Sequence, residues 1–176
     1  MTLDELNQLD DKAACDWFET TCAARRWVNA MVAARPYASA EMVYSQAVEV
    51  WQSLAEADYR EAFEAHPMIG DVNSLRAKFA NTKHTAAAEQ QGTAVASEET
   101  LESLHRLNHE YLNRHGFIFI ICATGLSADT MLDALSKRLP NDTATELANA
   151  AAEQIKITLL RLTKGLSDPT TQEATS

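Results

Sequence analysis

Apolar residues recur along most of this chain at spacings of three and four, the repeat of one face of an α-helix. The pattern begins almost at once: Thr2-Leu3-Asp4-Glu5 fits a capping box and places acids at the positive end of a short first helix. Across residues 11–34, Ala14, Trp17, Phe18, Thr21, Ala24, Val28 and Met31 keep the helical spacing, with Lys12, Asp16, Glu19 and Arg26 on the far face. One helix is predicted there, ended by Arg35-Pro36. Ser39 reads as the cap of a helix carrying Met42, Val43, Ala47, Val50, Trp51 and Leu54, and Asp58 as the cap of a short one that runs to Ala65 and breaks at His66-Pro67. Later, Ser97 opens a helix to Arg114 with Gly116 as its stop, Ser127 caps a helix ending before Pro140, and Thr143 starts a long one to about Lys164.

Two stretches depart from this pattern. Residues 66–96 are irregular, with Pro67, Gly70 and Gly92 bracketing short helical pieces, and long irregular segments in a small domain often carry function. Phe117–Ala123 has the apolar character of a strand, but no second run of that kind exists to pair with it. The expected fold is therefore all-α: a single-domain bundle of about eight or more helices over residues 1–166, with 167–176 a frayed tail.

Composition narrows the function classes. The 176 residues hold 25 acids against 15 basic residues, and no Lys/Arg stripe could follow a phosphate backbone, so no nucleic-acid partner is expected. A small anion would feel repulsion at a distance, and any site for one must be built locally. No apolar run approaches the roughly 20 residues that span a bilayer, and Met1-Thr2-Leu3-Asp4-Glu5 is unlike a secretory signal, so a cytoplasmic protein with no membrane partner is expected. Cys15, Cys22 and Cys122 read as reduced thiols, since the first two would stand roughly 10 Å apart along one helix.

Three residues stand out chemically. His66 precedes Pro67, which presents its imidazole at a fixed break; the plainer reading is a histidine at the negative end of a helix. Arg161 sits among Ile155, Ile157, Leu159, Leu160 and Leu162, so partial burial is expected, with either a protein carboxylate or a ligand oxygen as its partner. Glu89 lies in Ala86-Ala87-Ala88-Glu89-Gln90, where small neighbours would admit a ligand. His105 and His109 share the i, i+4 spacing of a metal pair, but on a charged helix face beside Arg106, and no metal site is expected. No glycine-rich phosphate loop and no nucleophile elbow is visible.

Taken together, these segments form a known order of blocks. His66-Pro67-Met68-Ile69-Gly70, then Glu89-Gln90 with Gly92, then Leu107-Asn108 and Tyr111 ahead of Gly116-Phe117 and Phe119-Ile120-Ile121, then Arg138-Leu139 with Asn141-Asp142, and finally Ile157 with Arg161-Leu162 are similar to the motifs of one family. The chain resembles the 2-oxo-4-hydroxy-4-carboxy-5-ureidoimidazoline (OHCU) decarboxylases. One position departs: Ala86 stands where that family commonly has a serine that contacts substrate, and Thr85 is the neighbouring hydroxyl.

The resemblance implies release of carbon dioxide from OHCU to give S-allantoin in urate breakdown, with no metal or organic cofactor and a small-molecule ureidoimidazoline as partner. It implies His66 and Glu89 as catalytic residues, and Pro67, Gln90, Arg161 and the backbone of Phe119, Ile120 and Ile121 as substrate contacts. Oligomeric state is left open, a homodimer being one option. Two alternatives of another class are a non-catalytic helical binding module, with the same residues as caps and ion pairs, and a metal-dependent helical hydrolase built on His105 and His109.

Overall fold

The computed structural model describes residues 1–67 and 97–167, and among these every regular element is a helix. They are α1 (Leu3–Gln8), α2 (Asp11–Glu19), α3 (Arg25–Ala33), α4 (Ala40–Gln52), α5 (Glu56–Glu64), α6 (Glu98–His115), α7 (Ala128–Arg138) and α8 (Thr143–Gly165). Phe117–Ala123 is neither helix nor strand.

Most helix ends lie where side-chain chemistry put them. Thr2 and Glu5 form the reciprocal capping box on α1, and Ser39, Ser97 and Ser127 each accept an N–H from the first turn they precede. Gly116 closes α6 at φ 79°, a left-handed conformation that a Cβ would strain. Asp58 caps differently from expectation. It is the third residue of α5, and its carboxylate reaches back to the Ala55 N–H at 3.0 Å.

The predicted helix over 11–34 is two helices. The hydroxyls of Thr20 and Thr21 each accept no helical role and instead donate, at 2.6 Å, to the carbonyls of Trp17 and Phe18, three residues back. Such local bonds compete with the helical ladder, and the chain re-enters helix only at Arg25, whose N–H is held by Glu61. The apolar spacing carried across the break, which is why periodicity alone ran through it.

The chain divides into two compact units, Met1–Ala65 with Ala151–Ser176, and His66–Ala150, so α8 contributes its beginning to the second and its remainder to the first. In the first unit, Leu6, Phe18, Trp27, Met31, Val43, Ala47, Trp51, Phe63 and Leu162 are buried. Large rings can be buried here because their polar tips find carbonyls: Trp27 Nε1 donates to Ala47, Trp51 Nε1 to Ala151 and Tyr37 Oη to Met31. The Arg35 guanidinium, only 8% exposed, donates to the carbonyls of Leu6, Leu9 and Val32, satisfying the ends of α1 and α3 as well as pairing with Asp11. In the second unit α6 packs on α7, and Leu101, Leu104, Tyr111, Phe117, Ile120, Met131 and Leu135 are buried.

Candidate functional site

In the second unit a carboxylate is fully buried. Glu146, on the first turn of α8, has no exposed surface, yet its two oxygens accept four hydrogen bonds. Oε1 takes the Tyr111 hydroxyl at 2.6 Å and Arg138 Nε at 2.8 Å, while Oε2 takes Asn141 Nδ2 at 3.0 Å and Asn149 Nδ2 at 2.7 Å. Burial alone would raise its pKa, but the bonds from Asn141, Tyr111 and Asn149 and the Arg138 charge outweigh that and hold the carboxyl below the usual glutamate range. The Tyr111 phenol is pushed up, first by burial and then by its bond to Glu146, so it remains a donor.

Arg138 connects this acid to the irregular segment after α6. Its Nη1 donates to the Ile120 carbonyl at 2.8 Å, and its guanidinium carbon lies 4.5 Å from the centre of the Phe119 ring. Tyr111 meets the same Phe119 ring edge to face at 5.3 Å. Nη2 is buried without a hydrogen-bond partner among the described residues. Below this, His115 Nε2 faces the Leu139 carbonyl at 3.1 Å, which can only accept, so that nitrogen carries a proton while Nδ1 meets the Thr143 hydroxyl at 3.0 Å.

Among the described residues, the segment's own N–H donors find no partner. Ile120 is buried and Phe119 and Ile121 are half-buried, and no hydrogen bond joins the N–H groups of these three to another described residue. The described residues thus leave this row of main-chain donors unengaged, while the Ile120 carbonyl is already held by Arg138.

His66 is half-buried just past the end of α5, beside an exposed Pro67. Glu89 and Gln90, with Ala86 and Thr85, lie outside the described residues, as does the tail beyond residue 167. Arg161 is exposed, which corrects the expectation of burial. Its neighbours Ile157, Leu159 and Leu160 are themselves half-buried, and the buried positions of α8 are Glu146, Ala150, Ala151, Gln154, Thr158 and Leu162, with Gln154 Nε2 donating to the Thr158 hydroxyl at 3.1 Å. Arginine's long stem lets its head leave such a surface. Among the described residues its hydrogen-bond partner is the Thr21 carbonyl, at a long 3.4 Å from Nη1. His105 and His109 stack edge to face at 4.6 Å, and no group of three or more potential metal ligands occurs among the described residues.

Known proteins resemble this chain over most of its length. The model of the OHCU decarboxylase family matches residues 7–163. The chain belongs to that family. It is 35% identical over 154 residues to the uric acid degradation bifunctional protein TTL of Arabidopsis thaliana, covering 87% of this chain and 47% of that protein. It thus spans about half the length of that relative. The 2-oxo-4-hydroxy-4-carboxy-5-ureidoimidazoline decarboxylase of Haloferax volcanii is 26% identical over 168 residues, with 95% of this chain and 97% of that one covered. A crystal structure of OHCU decarboxylase in the presence of (S)-allantoin superposes with a TM-score of 0.69 at 31% identity, covering 91% of this chain and all of that one.

Within the OHCU decarboxylase fold, the sequence had brought forward Phe119–Ile121 and the blocks containing Tyr111, Arg138 and Asn141, but it missed Glu146, to which all three are bonded. The available signal was positional: Glu146 stands four residues before Ala150 and eight before Gln154, in line with the buried side of α8. An acid in that register needs partners, and three of them stand in those two blocks.

Proposed function

We propose that this chain decarboxylates OHCU to S-allantoin and carbon dioxide, as a cytoplasmic enzyme of urate breakdown that needs neither metal nor organic cofactor. Family membership carries the reaction class. For the site, the supporting observation is the apolar Phe119–Ile121 segment, whose three N–H groups are engaged by no other described residue. Loss of the carboxyl group breaks a carbon–carbon bond and leaves its electron pair on a carbon beside the ring carbonyl. That pair spreads into the carbonyl as an enolate, so the chemistry calls for donors aimed at a developing oxyanion. Main-chain N–H groups fit this need, and the surrounding side chains strengthen it by excluding water.

In this reading His66 hydrogen-bonds the substrate hydroxyl or the departing carboxylate, with an imidazole able to give or take a proton near neutral pH. Glu89 orients the reacting end, Pro67 and Gln90 line the site, and Arg161 anchors a ligand oxygen through its guanidinium fork. Protonation of the enolate from one face then gives one enantiomer. Support for that role is that Arg161 is exposed and, among the described residues, makes one long hydrogen bond, to the Thr21 carbonyl. Three free thiols suit a reducing compartment, and no described helix is long and apolar enough to cross a membrane.

Circular dichroism of freshly generated OHCU, with purified protein and a chelator present, tests this directly. S-allantoin should appear well above the spontaneous rate, and His66→Ala should lower that rate about a hundredfold with little change in melting temperature. A racemic product at the spontaneous rate would return the chain to the binding-module reading, and loss of activity to chelator would favour the hydrolase.

A further inference from the structure

The Glu146 network contains none of the residues proposed above to touch substrate, yet it grips the segment that supplies the main-chain donors. We propose that Arg138 is a positioning residue: through the Ile120 carbonyl it aims and polarises the Ile121 N–H toward the oxygen that gathers charge as carbon dioxide leaves. The decarboxylase reading supplies what that N–H binds. How Arg138 controls it follows from the geometry.

A peptide unit is planar and trans, so the Ile120 C=O and the Ile121 N–H share one plane and point to opposite sides of the chain. Holding the carbonyl at 2.8 Å from Arg138 Nη1 therefore restricts the direction of the N–H. The residue before that plane is held as well, since Phe119 has the guanidinium 4.5 Å from its ring centre and the Tyr111 ring edge to face at 5.3 Å. Both contacts lead to one acid: Arg138 and Tyr111 each donate to Glu146 Oε1, whose other oxygen is fixed by Asn141 and Asn149. The guanidinium is thereby locked before any ligand arrives.

The second effect is electronic. A cation hydrogen-bonded to a carbonyl draws charge through the peptide and makes its N–H a stronger donor. Arginine suits the task because one planar fork reaches a carboxylate and a carbonyl together, whereas lysine is a point charge on a flexible stem. A role in packing alone would need neither the charge nor the bond to Ile120.

The test pairs kinetics with the amide resonance of Ile121. Arg138→Lys and Arg138→Ala should lower kcat about 10- to 100-fold while KM moves less than about threefold, and free guanidinium ion should partly restore the Ala variant. The Ile121 amide proton should shift upfield in both. Val43→Ala, a core truncation in the other unit, serves as the control, matched by loss of melting temperature and expected to keep kcat. A rate loss no larger than in that control, a rise in KM with kcat unchanged, or an Ile121 amide indifferent to Arg138 would each overturn the proposal. Should the Ala variant fail to fold, the wild-type protein still decides: adding S-allantoin should move the Arg138 Nε–H and Ile121 amide resonances together, and movement of Ile121 alone would overturn it. Failure of the wild-type protein to turn over OHCU sinks the decarboxylase reading instead, leaving the Arg138→Lys amide shift to decide the coupling.

Discussion

Arg138 closes α7 and Arg161 sits in the last turns of α8, and they live in opposite ways. Arg138 is 14% exposed, shares Glu146 with three other donors, holds a backbone carbonyl and lies over a ring. Arg161 is exposed and, among the described residues, has one 3.4 Å bond to a carbonyl. The difference separates two uses of one side chain. A guanidinium that the fold needs is surrounded by acceptors at the time of folding, while one kept for a ligand, the role proposed for Arg161, would stay poorly satisfied in its absence.

The largest expected effect tests the first half of that contrast. Glu146→Gln leaves Arg138 a buried cation without its anion, and Arg138→Met leaves Glu146 a buried anion. Each should lower stability by about 3–5 kcal/mol in denaturant unfolding. The pH dependence should follow. Because the folded pKa of Glu146 is lowered, its contribution is present above the unfolded value of about 4.3 and is lost as pH falls through the folded one. Glu146→Gln should therefore flatten the acid limb of the stability curve. An acid limb identical to wild type would mean that folding does not shift the Glu146 titration.

That ion pair also marks where sequence reading stopped. Helix existence and most caps were legible because Thr2, Ser39, Ser97, Ser127 and Gly116 act on their own neighbours. The break at Thr20–Ala24 was hidden by apolar residues that continue the helical spacing through it. Buried charge was sought at Arg161, since periodicity reports local apolar company, and was found at Arg138 and Glu146, which meet between different helices. Meetings of that kind are set by packing, and no single window of sequence contains them. The candidate site was legible as ordered motif blocks, and those rest on resemblance for His66, Glu89 and Gln90, of which the last two lie outside the described residues.

Arg161→Met tests the second half of the contrast. With the guanidinium exposed, its removal should change stability by no more than about 0.5 kcal/mol, the range of an ordinary surface substitution. Substrate use should nevertheless fall by roughly 2–4 kcal/mol in kcat/KM, the scale of one charged hydrogen-bond contact. A strongly lowered melting temperature with unchanged kcat/KM would reverse the assignment and make Arg161 the structural arginine.

The smallest effect reads the charge of Arg161 without any substrate. Cys22 is 1% exposed, and burial pushes its thiol up to about 11 against three opposing influences: the Ala24 backbone, the Thr158 hydroxyl and the positive charge of Arg161. A raised folded pKa gives stability that is whole below the unfolded value of about 8.5 and is lost as pH climbs through the folded one. Unfolding curves should therefore weaken between about pH 8.5 and 11, by on the order of 3 kcal/mol, and Cys22→Ala should remove that slope. Arg161→Met takes away one of the influences holding the thiol down, so the Cys22 titration should move further up. Thiolate absorbance measured against pH, in a background lacking Cys15 and Cys122, resolves the step. An unmoved Cys22 titration would show that the Arg161 charge is already screened by solvent at that distance, and the exposed guanidinium would then act on a ligand only through direct contact.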